Sequence, residues 1–445
     1  MTIPLTAFRA YDIRGQVPNE VNPELAHAVG QALAQYLPAG VVAVGRDMRL
    51  DSEELAAALI DGLLRQGREV WDLGRITTDM SYWAVGYYKL AGAAMITASH
   101  NPAGDNGIKL TKIGVEPIGA KSGLDQIKSL IKKNSFMPAK LAGRVTHKHV
   151  LRDWIEHSLQ LSGDEFAPLQ VGMDTGNGME AIVLPLLHEL TPLRIHGLDL
   201  RLDGSFPHHV ANPLIVDNTA DLQQLVVDKK LDCGLAFDGD GDRVFAIDEK
   251  GNRVSAGELG ALLVKHALQT QPAGTVLYSS PSSRIVGMEI DLMGGKARRT
   301  PVGHSLIVPE MQRTHAVLGC EHSGHFYFGD NYGADSGLIA ALTLLHILSV
   351  SNKKLSQLVR DLHNPYVAID ELNLPISDAK AVITKLKQNY YDAKLDMLDG
   401  LTVNYPDWWC NARASNTEPL LRLNLEAKTP ELLEDKLAEI KKLIG

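Results

Sequence analysis

Three carboxylates stand within five residues at Asp238, Asp240 and Asp242, spaced by Gly239 and Gly241 and followed by Arg243, directly after the apolar run CGLAF. Acids this close repel one another unless a cation or strong donors offset their charge. Hard oxygen ligands on a loop suit Mg²⁺, which also favours a phosphate oxygen in its shell. The glycines let the backbone fold tightly enough for the acids to converge. A calcium EF-hand would use Glu249, twelfth from Asp238, but its sixth position is Arg243 where glycine is needed, and the VFAI that follows reads as a strand. A solvated acidic turn stays open as the plain alternative.

Three further motifs also follow apolar runs. Thr97-Ala98-Ser99-His100-Asn101-Pro102 comes after AAMI. Ligands of parallel α/β sheets gather beyond the carboxyl ends of the strands. There Ser99 can act as nucleophile or covalent carrier, with His100 or Lys109 managing charge. Ser, Asn and Pro equally favour a plain turn, and the glycines of a serine-hydrolase elbow are missing. Glu321-His322-Ser323-Gly324-His325 lies between VLGC and FYF, with Gly303-His304-Ser305 upstream. Its groups donate and accept hydrogen bonds as sugar hydroxyls require; its histidines, three apart and both after the acid, do not make a zinc-protease pair. A polar hairpin turn accounts for the same residues. Arg413-Ala414-Ser415-Asn416-Thr417-Glu418-Pro419 offers an Arg fork and clustered donors, either a phosphate cradle or a turn leading into LLRLNL. In order, a covalent serine, a metal triad, a hydroxyl reader and a phosphate clamp read together as phosphoryl transfer on a phosphorylated polyol or sugar.

These loops need strands and helices to hold them. NPELAHAVGQALAQYL reads as an amphipathic helix, VVAVG as a buried strand, and EVWDLG and AGAAMI as further strands. Asp51 and Glu54 have capping-box spacing ahead of LAAALIDGLLRQG, which stops at Gly67. This alternation predicts a mainly parallel sheet covered on both faces. The rhythm restarts at LQVGMD, with a helical MEAIVLPLLHEL, and again near Val254 with AGELGALLVKHAL and TVLYSS. The last 80 or so residues change character and end in the charged helix PELLEDKLAEIKKLI.

Composition narrows the classes. A chain of 445 residues predicts about three domains. Its net charge of −9 disfavours a general binder of nucleic acid or anionic membrane, while leaving room for a local basic pocket that takes a small anion. Cys233, Cys320 and Cys410 lie far apart without a CxxC pair, which points to a reducing compartment. MTIPLTAFRAYDIRG has no basic start followed by an apolar run, and AALTLLHILSV is too short to span a bilayer. A soluble, cytoplasmic protein is expected.

AYDIRG, VGRDMR at 44–49, TASHNP, DNGIK, DGDGDR, PVGHS, CEHSGH and RASNTEP, in this order, strongly resemble the α-D-phosphohexomutase superfamily, in particular its bacterial phosphomannomutase/phosphoglucomutase branch. The resemblance spans essentially the whole chain. It implies three related mixed α/β domains and a smaller α+β C-terminal domain around a central cleft, revising the domain count to four. The expected boundaries are 1–147 for a phosphoserine domain, 148–252 for a metal-binding domain, 253–364 for a sugar-binding domain and 365–445 for a phosphate-binding domain. Ser99 resembles the serine that carries the phosphoryl group and also contributes to the metal site, and Asp238, Asp240 and Asp242 resemble the Mg²⁺ ligands. Tyr11 and Arg14 would lie near the reacting phosphate and sugar, and His100, Lys109 and Arg243 around the transferred group. Glu321 and Ser323 would bind sugar hydroxyls, with His304 and His325 lining the same cleft. Arg413, Ser415, Asn416 and Thr417 would grip the non-reacting phosphate.

The implied reaction interconverts hexose 6-phosphate and hexose 1-phosphate through a hexose 1,6-bisphosphate, which also serves as activator. The implied partner is a small phosphosugar, without nucleic acid or membrane, and a monomer is compatible. A Lys often found in the family near Pro281 is absent, leaving Arg284, Arg298 or Arg299 to supply its charge. Asn416 favours mannose or glucose phosphate over glucosamine phosphate. Competing readings are a phosphoglucosamine mutase, a haloacid-dehalogenase-like phosphotransferase using Asp238 as nucleophile, and a catalytically silent sugar-phosphate sensor. Asp242, where the second of these usually has Thr or Val, counts against it. The retained Ser99 and acid triad count against the sensor.

Overall fold

A computed structural model of the chain describes residues 3–414 and 420–444. Ser415, Asn416 and Thr417 of the expected clamp lie outside the described residues. Four sheets follow one another along the chain. The first runs Ile13–Gln16, Asp105–Lys112, Gly92–Ile96, Val42–Arg46, Val70–Arg75, Val145–His147, with Glu116–Pro117 also paired to Asp105–Lys112. The second runs Arg253–Val254, Val244–Ile247, Cys233–Phe237, Gln170–Asp174, Arg194–Leu198. The third runs Lys296–Thr300, Thr275–Ser279, Leu318–Cys320, Phe326–Phe328. These are three mixed α/β units, followed by a smaller α+β unit built on a fourth sheet.

Each of the first three sheets is parallel except on the motif side. Gly92–Ile96 pairs parallel with Val42–Arg46 and antiparallel with Asp105–Lys112. Cys233–Phe237 pairs parallel with Gln170–Asp174 and antiparallel with Val244–Ile247. Leu318–Cys320 pairs parallel with Thr275–Ser279 and antiparallel with Phe326–Phe328. The mainly parallel sheet expected from the strand–helix rhythm is therefore mixed. Length is the reason: the residues joining each antiparallel pair are too few for a parallel crossover, which takes a dozen or more. TASHNP, DGDGDR and EHSGH thus occupy one and the same place, the hairpin loop at the carboxyl end of a buried parallel strand.

The helices show where local signals held. Pro23–Tyr36 starts where the Asn22 side chain accepts the Leu25 N–H at 2.9 Å, with a proline in the first turn. Ala256–Thr270 opens on a capping box of Ser255 and Glu258. The box expected at Asp51 is absent. Asp51 itself lies in the helical region and makes no capping hydrogen bond, since a cap must leave that region to turn its oxygen onto the first amides. MEAIVLPLLHEL divides into a 3₁₀ segment, Met179–Val183, and the α-helix Leu184–Leu190, with proline in its first turn.

One continuous apolar core, including Trp83, Trp154, Phe237, Leu262 and Leu342, unites the first three units. Gly337–Ser351 is apolar on nearly all sides because it packs inside this core, against Leu151–Ser162 and Ala256–Thr270. Among the described residues no single helix is long and apolar enough to cross a membrane.

The fourth sheet, built on Leu420–Ala427 and Trp408–Ala414, is wholly antiparallel. It has its own core of Leu401, Val403, Cys410, Leu423 and Ile440. It meets the third unit through polar contacts. Arg284 Nη2 donates to Tyr405 O at 2.8 Å, Arg299 pairs with Asp396, and the Val302 N–H donates to Asp399 Oδ2 at 2.9 Å. The three arginines named for the Lys missing near Pro281 all have partners here. Arg284 and Arg299 are held at this joint, and Arg298 pairs with Glu310.

Candidate active site

Ser99 is 4% exposed and sits in the left-handed region at φ 51, its N–H held by Thr97 Oγ1 at 2.8 Å. Its hydroxyl donates to Asp238 Oδ2 at 2.7 Å and lies 3.1 Å from His100 Nδ1. The two hairpin loops touch closely: a Cβ on Gly239 would fall 2.5 Å from the Ser99 carbonyl oxygen, a contact only glycine permits. This brings the nucleophile candidate of the first sheet onto the acid triad of the second.

Asp238, Asp240 and Asp242 are fully or nearly fully buried, and their oxygens lie within 4.8 Å of one another. Lys109 Nζ donates to Asp240 Oδ2 at 2.8 Å and Asp242 Oδ2 at 2.6 Å. Arg243 Nε donates to Asp238 Oδ2 at 2.9 Å. Burial pushes all three acids upward, but Lys109 overcomes it at Asp240 and Asp242, which end below the usual carboxylate range. At Asp238 burial prevails over Arg243 and the shift is upward. Among the described residues, Oδ1 of Asp240 accepts no hydrogen bond, and Oδ1 of Asp242 has His325 Nε2 only at 3.4 Å. Converging carboxylates with buried, undersatisfied oxygens fit a hard divalent cation.

The surrounding cations come from separate elements. Arg14 Nη1 donates to Asn101 Oδ1 at 3.1 Å and Nη2 to Asp12 at 2.6 Å. Burial pushes its pKa down, but Asp12 and Asp240 outweigh that and raise it. His100 is driven well below its ordinary range, first by burial and then by Arg243 and Arg14. His325 pairs across a bridge with Arg243. Burial opposes its charge, yet Asp242 and Asp335 raise its pKa to about 9.

The third hairpin loop closes the group. Ser323 Oγ lies 2.9 Å from His325 Nδ1. Glu321 accepts from the Gly303 N–H at 3.1 Å and from Tyr327 OH at 2.7 Å. His304 Nδ1 lies 3.0 Å from Asp335 Oδ1 and its ring stacks on Tyr82. Tyr11 OH donates to Val302 O at 3.3 Å, beside Gly303. Ser99, His100, Arg14, Lys109, Arg243, His325 and the triad therefore converge, with Tyr11, His304, Glu321 and Ser323 adjoining them. Arg413 stands apart: its Nη2 lies 3.4 Å from Glu371 Oε2. Glu371 also accepts from His322 Nε2 at 2.8 Å and Asn424 Nδ2 at 3.0 Å. Burial opposes its charge, but His322 and Arg413 hold it well below the usual range. His322, a member of the expected hydroxyl-reading loop, thus faces the joint with the fourth unit.

Several residues escaped the sequence reading. Thr78 Oγ1 donates to Asp240 Oδ2 at 2.6 Å, Ser336 Oγ donates to Asp79 Oδ2 at 2.6 Å, and Asp335 backs both cleft histidines. The polar cluster Thr77-Thr78-Asp79 after the strand Val70–Arg75 was the only signal for the first two. Glu371 has none.

Models of the phosphoglucomutase/phosphomannomutase family match the chain in four consecutive pieces. These are alpha/beta/alpha domain I at residues 5–137, domain II at 152–251, domain III at 256–366 and the C-terminal domain at 371–443. A phosphohexose mutase of Xanthomonas campestris is 35% identical over 100% of both chains. The chain belongs to this family. A phosphomannomutase of Vibrio cholerae is 34% identical, covering 99% of this chain and 98% of its own. The crystal structure of a phosphoglucomutase/phosphomannomutase family protein from Burkholderia thailandensis superposes with a TM-score of 0.89 at 29% identity, over 98% of this chain and 96% of that one. The order of the four family domains is the order of the four sheets.

Proposed function

We propose that the protein is a phosphohexomutase that interconverts hexose 6-phosphate and hexose 1-phosphate, with mannose or glucose as the sugar. In this reading Ser99 carries the phosphoryl group and a hexose 1,6-bisphosphate is the intermediate and activator. The observation that carries it is the meeting of Ser99 Oγ with Asp238 at 2.7 Å, beside two acids gripped by Lys109. A Mg²⁺ held by Asp238, Asp240, Asp242 and the Ser99 oxygen would supply Lewis-acid relief of phosphoryl charge. Arg14, Lys109, Arg243 and His325 surround the same point with fixed positive charge, in place before the reaction and costing no reorganisation during it.

The bond between Ser99 Oγ and phosphorus breaks as a sugar hydroxyl oxygen bonds to phosphorus. His100 Nδ1, at 3.1 Å and kept neutral by its depressed pKa, is placed to pass to Ser99 Oγ the proton that the sugar hydroxyl loses as the group leaves, and to pass it back when the group returns. The intermediate then turns round and gives its other phosphate to Ser99. Glu321 and Ser323, with His304 and Tyr11 beside them, hold sugar hydroxyls, and Arg413 with Ser415, Asn416 and Thr417 holds the idle phosphate. The division of labour follows segments 1–147, 148–252, 253–364 and 365–445. A small phosphosugar partner and a cytoplasmic setting complete the reading.

An aspartyl-phosphate route fits poorly, because Asp238 is 0% exposed and its Oδ2 already receives Ser99 and Arg243. The deciding experiment assays wild type and Ser99→Ala with mannose 1-phosphate and glucose 1-phosphate, and maps protein-bound phosphate by mass. Loss of roughly 10⁴-fold or more in turnover is expected for the variant, with acid-stable phosphate on Ser99 in the wild type. A variant close to wild-type rate, or hydroxylamine-labile phosphate on Asp238, would sink the scheme.

A further inference from the structure

Ser99 keeps a backbone conformation, φ 51, that residues with a Cβ avoid, and something must hold it there. The local bonds are the Ser99 N–H to Thr97 Oγ1, the Asn101 N–H to Ala98 O at 3.0 Å, the Asp105 N–H to Pro102 O at 3.1 Å and Asn101 Nδ2 to Asp105 Oδ2 at 2.8 Å. The larger restraint comes from another strand end. The Arg49 guanidinium, with a side chain 1% exposed, donates to four carbonyl oxygens of the serine loop. Nη1 reaches Pro102 O at 2.7 Å and Asp105 O at 2.9 Å. Nη2 reaches Ser99 O at 2.8 Å and Asn101 O at 2.6 Å. The loop is wrapped around this one group.

Arg49 is itself fixed from two sides. Asp47 Oδ2 lies 3.3 Å from its Nε, while Asp47 Oδ1 accepts from the Arg49 N–H at 2.9 Å and from Ser52 Oγ at 2.6 Å. From the second unit, the Phe206 ring lies over the guanidinium at 5.0 Å. The backbone there passes so close that a Cβ on Gly204 would fall 2.5 Å from the Arg49 Cα. The Ser99 carbonyl is thereby gripped between Nη2 and Gly239 of the acid loop. Without the guanidinium the four carbonyls lose their shared donor, and the turn that brings Ser99 Oγ onto Asp238 loses its largest side-chain restraint.

We propose that Arg49 is the positioning residue that holds Ser99 in its reactive conformation, with Phe206 and Gly204 of the second unit setting Arg49 in turn. The planar fork is essential to this role. A lysine ammonium is a point charge with three donors and cannot serve four carbonyls lying in two pairs.

The proposal rests on Ser99 as the phosphoryl carrier. Its test compares wild type, Arg49→Lys and Phe206→Leu in the full chain. The readouts are phosphate uptake on Ser99 from glucose 1,6-bisphosphate, followed by intact mass, together with kcat, KM and thermal unfolding. Expected for Arg49→Lys is uptake and kcat lower by about 10²-fold per folded molecule, the scale of a small misplacement of a reacting group, with KM within about threefold of wild type. A merely structural role would lower the unfolding temperature and leave uptake per folded molecule unchanged, and that result overturns the proposal. Should Arg49→Lys fail to fold, Phe206→Leu decides, since it spares every carbonyl bond. Uptake slowed by about fivefold at unchanged KM supports the proposal, and wild-type uptake overturns it. A wild type that takes no phosphate on Ser99 brings down the phosphoserine reading and this proposal together; equal uptake by wild type and Arg49→Lys brings down this proposal alone.

Discussion

The three hairpin loops and the Arg413 strand solve positioning in opposite ways. The loops at Ser99, Asp238–Asp242 and Glu321–His325 extend from sheets that share one apolar core. They touch through buried ionic contacts such as Lys109 with Asp240 and Asp242. Arg413 belongs to a sheet with its own core, joined to the rest through Arg284, Arg299 and the pair of Glu371 with His322. In the proposed reaction, the groups assigned to the transferred phosphoryl are built around one shared apolar interior. The group assigned to the distant phosphate stands on a separate body behind a polar joint. Under the proposed mechanism, a substrate that must present either end to Ser99 needs a fixed reaction point and an adjustable grip, and the two kinds of packing suit those two needs.

If the interior is the seat of chemistry, damage there should show in kcat. Removing divalent cations with a chelator is expected to abolish turnover by about 10³-fold or more, with Mg²⁺ restoring it; turnover that survives chelation would detach the acid triad from the reaction. Gly239→Ala comes next. Its new Cβ would meet the Ser99 carbonyl at 2.5 Å, a backbone atom that cannot swing aside. A displacement of that kind should lower kcat by roughly 10²-fold while leaving KM near wild type.

The joint should respond in the other parameter. Glu371→Gln keeps the shape and one acceptor but removes the charge shared by His322, Arg413 and Arg422. Charge-assisted bonds become ordinary ones, so KM should rise about tenfold with kcat within a few-fold. Hydrogen exchange should quicken in Trp408–Ala414 and Leu420–Ala427 and stay unchanged in the first three sheets. Because the Glu371 pKa is depressed, its stabilisation is present above the unfolded carboxylate value and is lost only as pH falls through the still lower folded one. The contribution of the Glu371 carboxylate should therefore be flat with pH through the neutral range. A rise confined to 1/kcat would erase the contrast.

The sequence made the interior far more legible than the joint, for a physical reason. Ser99, Asp238 and Glu321 sit at strand ends in runs of polar residues after apolar ones, so local pattern alone marks them. Their hairpin setting was missed because loop length, not strand hydrophobicity, decides between a parallel and an antiparallel neighbour. Glu371 is one acid in AIDELNLP, and Arg284 one base opening a helix; each gains its role only from partners far along the chain. Asp51 shows the converse. Its spacing to Glu54 satisfied a capping rule, yet its helical backbone angles prevent the capping bond.

The smallest expected effect tests whether the interior extends behind the acid loop. His209 Nε2 lies 3.3 Å from Asp174 Oδ2 and 3.6 Å from Asp199 Oδ2, with His208 on the far side of Asp199. Two residues on, Ala211 O accepts the Gly239 N–H at 3.2 Å, so this cluster supports the acid loop from below. The hydrogen bond to Asp174, against burial, raises His209 from 6.5 to about 9. A raised pKa means the contribution is complete below the unfolded value of 6.5 and disappears as pH climbs through about 9. Unfolding of the first three units should therefore drop by about 2 °C from pH 6.5 to 9.5, and His209→Gln should remove most of that slope. Because the Glu371 carboxylate keeps its charge over the same range, the alkaline loss should appear in the exchange of Gln170–Asp174 and Cys233–Phe237 and leave Trp408–Ala414 unaffected. Equal loss in both places would mean that the fourth unit is not mechanically separate from the interior, and the adjustable grip would need another explanation.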